Sequence, residues 1–312
     1  MRQRRLSMKQ FFEQMFFSPK WYHYLVMILF FPLSLVYGIF MFLRRVLTSK
    51  NHFSIPIVSV GNLQVGGSGK TPFLIALASK YEDVTIISRG YGRESTGLVE
   101  VSYKGKVLVD VKQSGDEPML IAQSLPNASV IVSEDRTIAI EDAMREGAKI
   151  IFLDDGFNRV EIEKYEILLE PACMPNTLPL PAGPLREFAW TKGYADLVLK
   201  EDRDFKRVVS FENLSEKMLL VTAISNPARL DAFLPENIVG KIYFDDHAYF
   251  DEASLKEEMK KYGADTLLVT QKDVVKMKHF KLPLSLMKLK LEISDKVFTE
   301  VNHYIKGNSN TR

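Results

Sequence analysis

Short apolar runs alternate with amphipathic stretches along the chain from residue 55 onward. The pattern predicts strands at IPIVSVGN, VTIISRGYG, SVIVSE and KIIFLDD, and helices at TPFLIALASKY, DEPMLIAQSL and DRTIAIEDAMREGA. Strands that alternate with helices are typical of a mostly parallel sheet. We therefore predict an α/β fold with helices on both faces of the sheet and with the loops that follow the strands along one edge.

A long apolar segment precedes this region, at residues 21–43, and contains no Asp, Glu, Lys or Arg. A helix that spans a membrane needs roughly 20 apolar residues. A secretory signal would end at a small-residue cleavage site, whereas Arg44 and Arg45 follow here. A buried core helix is the alternative, but the segment is apolar on all faces. We therefore predict an N-terminal membrane helix.

Two further features bear on how this segment meets a membrane. Pro32 lies near its middle, and we expect the segment to bend there and return, with both flanks cytosolic; a plain single span is the alternative. Upstream, apolar residues recur at helical spacing opposite a polar face, which suits a helix lying in the membrane interface. These residues are Met8, Phe11, Phe12, Met15 and Phe16.

The domain organisation follows from a break in the pattern at 171–190. This stretch is rich in proline and is predicted to be a functional loop. Later segments indicate further β/α units, namely MLLVTAISNPARLDAFL, KIYFDDHAYFDEASLKEEMKKYG and DTLLVTQKD. We predict a membrane-anchoring segment at 1–50, a core domain at 51–209 and a smaller α/β lobe at 210–312.

Charge adds a candidate partner. The net charge of the 312-residue chain is only +2, but residues 1–50 hold eight basic residues and one acidic residue. A basic terminus beside apolar sequence indicates anionic lipid more than nucleic acid, and no nucleic-acid signature is present elsewhere. The single cysteine, Cys173, rules out an intrachain disulfide and a cysteine metal cluster. The oligomeric state is left open.

The segment from Val60 to Pro72 reads VGNLQVGGSGKTP and lies between a predicted strand and a predicted helix. Glycines let successive N–H groups turn toward an anion, and the helix N-terminus adds its dipole. Lys70 would neutralise the β- and γ-phosphates of a nucleoside triphosphate, and Thr71 would hold Mg²⁺. The predicted nucleotide-binding residues here are Val65, Gly66, Gly67, Ser68, Gly69, Lys70, Thr71 and Pro72.

This loop departs from the strict phosphate-loop pattern, because Gln64 stands where the pattern has glycine. A glycine-rich turn that ends in a chance Lys-Thr is the alternative. The strand before the loop and the helix after it favour a phosphate loop.

Other candidate residues have a structural reading as well as a functional one. Asp154 and Asp155 follow an apolar strand, where an acid helps to hold Mg²⁺, but Asp-Asp-Gly is also common in turns. Asp116 opens a predicted helix and would serve as an N-cap, and His247 suits a surface position. Three arginines are candidates to clamp phosphate, with simple solvation as the alternative: Arg89, Arg93 and Arg186.

Together these segments resemble one family. The motifs VGNLQVGGSGKTP, SRGYGR, GDEP, LDDGF, LPAGPLRE and TQKD appear in its order over about residues 55–275. The family is tetraacyldisaccharide 4′-kinase, the lipid A 4′-kinase of Gram-negative bacteria. The resemblance implies a P-loop α/β core, a smaller α/β lobe and an active site between them.

The resemblance also implies a reaction. The enzyme would transfer the γ-phosphate of ATP, with Mg²⁺, to the 4′-hydroxyl of a tetraacylated glucosamine disaccharide 1-phosphate, giving lipid IVA for lipid A synthesis. It would act at the cytosolic side of the inner membrane. Lys70 would be catalytic, and Asp116 with His247 would activate the hydroxyl. Metal ligands would be Thr71, Glu117, Asp154 and Asp155, and Arg186 would lie near phosphate.

The chain differs from the family at one motif. The family usually reads DDGFQH or DDAFQH, and here Asn158 and Arg159 replace the last two residues. Two other functions remain open from sequence: a membrane-tethered P-loop ATPase or GTPase switch, and a scaffold with a decayed nucleotide site. Thr270, Lys272 and Asp273 superficially match a GTPase base-recognition motif, whereas the intact Lys70 argues against decay.

Overall fold

The computed structural model describes residues 8–66 and 69–309. Its helices are α1 (Met8–Phe17), α2 (Trp21–Leu47), α3 (Lys70–Ala78), α4 (Val111–Ser114), α5 (Asp116–Ser124), α6 (Arg136–Arg145), α7 (Glu252–Tyr262), α8 (Gln271–Val274) and α9 (Asp295–Ser309). Its strands are β1 (Ile57–Gly61), β2 (Val84–Ser88), β3 (Val99–Tyr103), β4 (Lys106–Val107), β5 (Ser129–Val132), β6 (Ile150–Asp154), β7 (Tyr165–Glu170), β8 (Leu197–Lys200), β9 (Phe205–Glu212), β10 (Met218–Thr222), β11 (Ile238–Tyr243), β12 (Thr266–Thr270) and β13 (Leu284–Ile293).

The first sheet has the strand order β4-β3-β5-β2-β6-β1-β7-β8. Its strands pair in parallel except at the edge, where β3 and β4 are antiparallel. The central strands β1, β2 and β6 are buried along their whole length, as expected for strands covered on both faces. Because the central strands run in parallel, the loops after β1, β2 and β6 meet at one edge of the sheet.

Helices cover both faces of this sheet. Phe73 and Leu74 of α3 and Ile121 of α5 pack in the core on one face. Ala139 and Ile140 of α6 pack in a separate core on the other. The α/β class and the helices on both faces are confirmed.

The second sheet has the order β11-β10-β12-β13-β9, with only β9 antiparallel to its neighbour. It confirms the predicted C-terminal α/β lobe. The helix α9 leaves this lobe and packs Val297 and Val301 into the core of the first sheet. The predicted domain boundaries at 51–209 and 210–312 stay a prediction.

The helix α2 contradicts the predicted bend at Pro32, because it continues as one helix through that proline. A proline removes one helical hydrogen bond and kinks a helix, but it does not reverse the chain. Among the described residues, α2 is the one helix long and apolar enough to cross a membrane. One side of it lies against the protein: Ser34 Oγ accepts a hydrogen bond from Ala182 N, 2.9 Å apart, and Gly38 lies under the ring of Phe188.

Most of the apolar stripe of α1 packs against the protein, although Met8 is 79% exposed, so the stripe does not form the free apolar face that the predicted interfacial position requires. Met15 and Phe16 are buried with Met27 and Ala182, and the ring of Phe12 stacks with that of Phe30. This part of the stripe is covered because α2 and the proline-rich segment offer an apolar surface at the same place.

Candidate active site

The phosphate loop leaves β1 at Gly61 and enters α3 at Lys70. Gly66 and Gly69 have φ of +90° and +82°, a region that favours glycine. Lys70 Nζ donates a hydrogen bond to Asn62 Oδ1, 3.0 Å away, and lies 3.5 Å from Asp155 Oδ1. Thr71 and Pro72 fall in the first turn of α3, and Thr71 is buried. The predicted Gly67 and Ser68 lie outside the described residues.

The proline-rich segment at 171–190 is hydrogen-bonded to the near end of this loop. Val65 N donates to Pro184 O, 2.8 Å away, and Gln64 pairs with Leu185 as a short antiparallel bridge. The N–H of Val65 is therefore engaged, and in this arrangement it is not offered to a phosphate. Arg186, predicted to lie near phosphate, donates to both carboxylate oxygens of Asp155 at 3.0 Å.

The two acids at the end of β6, Asp154 and Asp155, have pKa values shifted in opposite directions. Burial raises the pKa of Asp155, but the charges of Lys70 and Arg186 outweigh it. The pKa of Asp155 therefore lies below its usual value. Burial, helped by the charges of Glu117 and Asp155, raises the pKa of Asp154 to about 7. Ser88 Oγ donates to Asp154 Oδ2, 3.1 Å away, whereas Oδ1 is buried and lacks a hydrogen-bond partner among the described residues.

These acids fit a Mg²⁺ ion. A buried, unpartnered carboxylate oxygen and the nearby charge of Glu117 are what a divalent cation would neutralise. Within residues 8–66 and 69–309, no group of three or more His, Cys, Asp or Glu residues could hold a metal ion by itself. Thr71 and phosphate oxygens would therefore complete the coordination, as Mg²⁺ usually requires in nucleotide sites.

We expect Asp154→Asn to make the Mg²⁺-free protein more stable at pH 8 than the parent chain. The pKa of Asp154 in the folded state, about 7, exceeds its ordinary value of 3.8. The folded protein therefore holds the extra proton between these values, and its stability falls as pH rises through them. Asparagine does not titrate, so the difference in melting temperature should grow from pH 5 to pH 8.

Thermal unfolding at the two pH values, with and without Mg²⁺ and ADP, measures this. The control is Asp251→Asn, which changes an exposed helix cap to another good cap. An equal melting difference at pH 5 and pH 8 would contradict the shifted pKa.

A second group of residues brings the two lobes together. His247 follows β11 in the smaller lobe and places Nδ1 2.8 Å from Oδ1 of Asp116, the first residue of α5. Asp116 is buried and follows the N-cap residue Gly115, and its Oδ1 also accepts a hydrogen bond from Glu117 N, 3.0 Å away, at the start of that helix. Burial raises the pKa of Asp116, but the hydrogen bond from His247 and the neighbouring lysine charges outweigh it, and the pKa is lowered.

Those lysines come from the TQKD region, to which the sequence analysis assigned no catalytic role. Lys272 Nζ lies 3.1 Å from Glu117, 3.4 Å from Asp246 and 3.7 Å from Asp116. Lys276 Nζ lies 3.6 Å from Asp116 Oδ2. The TQKD motif was the signal in the sequence for these lysines. Only the fold brings them close to the acidic side chains of α5.

Arg45, at the end of α2, is a further residue that the sequence analysis did not assign to the site. Its guanidinium lies 2.7 Å from Glu187, and the pair is nearly inaccessible to solvent. It also donates to Phe157 O at 3.0 Å and lies over the Phe157 ring. Arg44 donates to Asn158 O at 3.1 Å. The helix α2 thus holds the loop that follows Asp155.

We expect Arg45→Lys to lower the free energy of unfolding by about 1.5–3 kcal/mol, because lysine cannot replace the forked hydrogen bonds to Glu187 and Phe157. Arg44→Lys is the matched control, since Arg44 is a third exposed and its effect should be smaller. Chemical denaturation of both variants and the parent chain in the same detergent compares their free energies of unfolding. Equal losses of unfolding free energy in the two variants would show that the buried Arg45–Glu187 pair stabilises the protein no more than the contacts of the more exposed Arg44 do.

The remaining arginines divide between structural and open positions. Arg93 is structural, since it donates to Gly97 O and pairs with Glu134, each within 2.6 Å. Arg89 is exposed at the end of β2. Arg159, which stands where the family usually has histidine, lies 3.8 Å from Glu161.

Comparison with known proteins agrees with this geometry. The family model for tetraacyldisaccharide-1-P 4′-kinase matches residues 26–306. Proteins named tetraacyldisaccharide 4′-kinase are similar to this chain: one from Helicobacter pylori (strain ATCC 700392 / 26695) is 47% identical over 300 residues, 96% of each chain. One from Aliarcobacter butzleri (strain RM4018) is 46% identical over 304 residues, 95% of this chain and 96% of the relative.

The chain belongs to the tetraacyldisaccharide 4′-kinase family. A crystal structure of a family member, LpxK from Aquifex aeolicus in complex with ATP, matches it with a TM-score of 0.77 and 26% identity, over 90% of this chain and 99% of that one. The resemblance drawn from the motifs and the predicted fold class are therefore confirmed. The roles of individual site residues stay predictions.

Proposed function

We propose that this chain is a lipid kinase, which transfers the γ-phosphate of ATP to the 4′-hydroxyl of tetraacyldisaccharide 1-phosphate. The observation that carries this is the Asp116–His247 pair, which joins the two lobes beside the acids near the phosphate loop. Glu117 follows Asp116 in the chain, and its charge acts on Asp154. The proposed proton acceptor therefore lies near the proposed phosphate site.

Each residue has a distinct part in the reaction. Asp116, ionised at neutral pH, takes the proton of the 4′-hydroxyl as that oxygen attacks the γ-phosphorus, and ADP leaves. His247 orients the carboxylate through Oδ1. Lys70 neutralises charge on the phosphates. Mg²⁺, held by Thr71, Glu117, Asp154 and Asp155, would supply further charge neutralisation.

The acceptor approaches on the side of the exposed Tyr91. The ring of Tyr91 lies 5.1 Å from that of His247 and is 66% exposed. An exposed aromatic ring beside a proton acceptor suits a sugar, because its face offers apolar contact.

The acceptor is a lipid, and α2 meets the membrane along its side. Met27, Ser34 and Gly38 are buried against the protein, so the rest of the protein packs along much of the length of this helix. The opposite face exposes large apolar side chains, among them Leu25, Ile28, Leu29, Leu33, Val36, Ile39, Phe40 and Leu43. A perpendicular span would push the polar body into the bilayer, whereas a helix lying in the interface leaves it in water. The site then faces the cytosol at the inner membrane.

The reaction is tested with the purified protein in detergent, γ-labelled ATP, Mg²⁺ and tetraacyldisaccharide 1-phosphate. Label in the lipid, lost in Lys70→Ala, supports the kinase. Label released only as inorganic phosphate would overturn it and favour the ATPase switch. A GTPase switch has less support, because Asp273 is fully buried and bonded to Thr222 and Ala223 in the smaller lobe.

The membrane arrangement is tested in intact spheroplasts with Arg5→Cys and Leu47→Cys, each in a Cys173→Ser background. Neither cysteine should react with an impermeant maleimide from outside. Reaction at one end only would establish a single span and overturn the interfacial arrangement.

A further inference from the structure

His247 is held in a backbone conformation that residues other than glycine rarely adopt. Its φ is +65°, in the left-handed region, where an L side chain crowds its own backbone. Its N–H donates to Ala223 O, 3.2 Å away, just after the end of β10. A conformation of this kind persists only where the surrounding contacts impose it. The contacts on either side of His247 therefore bear on the Asp116–His247 pair.

Two lysines hold the residues that flank His247. Lys272 Nζ donates to Asp246 Oδ1, 3.4 Å away. Lys276 Nζ donates to Ala248 O, 3.0 Å away. Asp246 directly precedes His247 in the chain, and Ala248 directly follows it. One ammonium group thus fixes the loop before the histidine, and the other fixes it after the histidine.

The same two ammonium groups reach the other member of the pair. Oδ1 of Asp116 is engaged by His247 and by Glu117 N. Oδ2 is buried and has no hydrogen-bond partner in the part of the chain that the structure describes. Lys276 Nζ lies 3.6 Å from this oxygen, and Lys272 Nζ lies 3.7 Å from it. Only 1% of the Lys276 side chain and 17% of the Lys272 side chain are exposed, so solvent screens these attractions little.

Asp273 fixes the segment that carries both lysines. Its carboxylate is fully buried and accepts hydrogen bonds from Thr222 Oγ1 at 2.7 Å and from Ala223 N at 3.0 Å. Ala223 is also the residue whose carbonyl accepts from His247 N. The TQKD segment and the His247 loop are therefore attached to the same end of β10, and from there the lysines reach α5.

We propose that Lys272 and Lys276 are positioning residues, which hold the His247 loop and the Asp116 carboxylate in the geometry that phosphoryl transfer needs. This rests on the proposed kinase function, and it gives a role to a segment that the proposed mechanism leaves without one. Each lysine acts through the Asp116–His247 pair. If either ammonium group is removed, the left-handed conformation at His247 loses a support, and the buried charge of Asp116 loses a counter-charge.

The first readout is steady-state phosphorylation of the lipid by the full chain in detergent. Lys276→Met keeps the length of the side chain and removes its charge. It should lower turnover about 10- to 100-fold, the cost typical of a misplaced catalytic group, with the KM for ATP within about threefold of the parental value. The same change made in an Asp116→Asn background should cost little more, because the residue through which the lysine acts is already lost.

A conservative variant and a control accompany this measurement. Lys272→Arg keeps the positive charge and should retain most of the turnover, whereas Lys272→Met should lose it. The control is Lys278→Met, since Lys278 is an exposed lysine two residues beyond Lys276; it should turn over as the parent chain does. A purely structural role would lower the amount of folded enzyme and would not give this split between turnover and KM.

The second readout is NMR of the full chain with ¹⁵N-labelled histidine, in detergent and without substrate. The chain has five histidines, and His247→Gln identifies the ring signals of His247 by their loss. Lys276→Met should shift these signals in the direction in which Asp116→Ala shifts them, because both changes disturb the bond to Nδ1. Lys278→Met should leave them in place.

Parental turnover, losses that multiply in the Asp116→Asn background, or parental His247 signals in Lys276→Met would each overturn the proposal. Thermal unfolding must show that Lys276→Met folds. If it does not, Lys272→Met takes its place in both readouts, and equal results for Lys272→Met and Lys272→Arg would then overturn the proposal. A parent chain that phosphorylates no lipid would remove the kinase function, and the NMR comparison would still decide whether the lysines position His247.

Discussion

Replacing Asp116 by asparagine will lower the turnover number about 10²- to 10⁴-fold, the contribution typical of a positioned general base. Asparagine keeps the shape of the side chain but cannot take the proton of the 4′-hydroxyl. Nucleotide affinity should stay near that of the parent chain, because Asp116 lies 2.8 Å from His247 and not on the phosphate loop. Steady-state transfer of label from γ-labelled ATP to the lipid measures the loss.

The matched control is Asp110→Asn. Asp110 caps the short helix α4, and its side chain accepts from the N–H groups of Lys112 and Gln113; asparagine caps about equally well. Turnover should therefore be unchanged. If Asp116→Asn retained a tenth or more of the parental turnover, Asp116 would not be the base.

A double variant separates a working pair from two independent residues. His247→Gln should also lower turnover, and adding Asp116→Asn should cost little more, since His247 acts through the carboxylate that has already been lost. Losses that multiply would show that His247 contributes by another route.

Replacing Lys70 by alanine will lower turnover by about 10³-fold or more, as loss of a phosphate-clamping cation does in related chemistry. Lys70 is placed for this by Asn62 Oδ1 at 3.0 Å and Asp155 at 3.5 Å. The fold should survive, because Arg186 still balances the charge of Asp155. Transfer assays over a range of ATP concentrations distinguish lost turnover from weakened binding.

Lys80→Ala is the control, since Lys80 is exposed just beyond the end of the same helix. It should leave turnover unchanged, which separates the effect of the ammonium group from a general effect of reduced charge. A Lys70→Ala enzyme with parental turnover at saturating ATP would remove Lys70 from the catalytic residues.

Much of the core was predictable because local rules and the tertiary fold agree there. The strands β1, β2, β5 and β6 form where short apolar runs were found, since both faces of a parallel sheet are buried. The loop from Gly61 to Lys70 was recognisable because a turn around phosphate needs glycines in a fixed order. The motifs also identified the family, which the matched relatives confirm.

The N-terminal region was less predictable, because its composition fits more than one environment. An apolar stripe on α1 suits a membrane interface as well as a protein surface, and α2 with Ala182 provides that surface. Pro32 signals a helix break locally, yet the remaining helical hydrogen bonds and the packing of α2 carry the helix through it.

The sequence by itself determined the elements, the phosphate loop and the family, because each depends on residues close together in the chain. Only the tertiary structure decided which charges meet. Lys272 reaches Glu117 across 155 positions, and Arg45 reaches Glu187 across 142. Such partners carry no local pattern, because an ion pair needs only opposite charges within a few ångströms in space. The fold alone supplies that proximity.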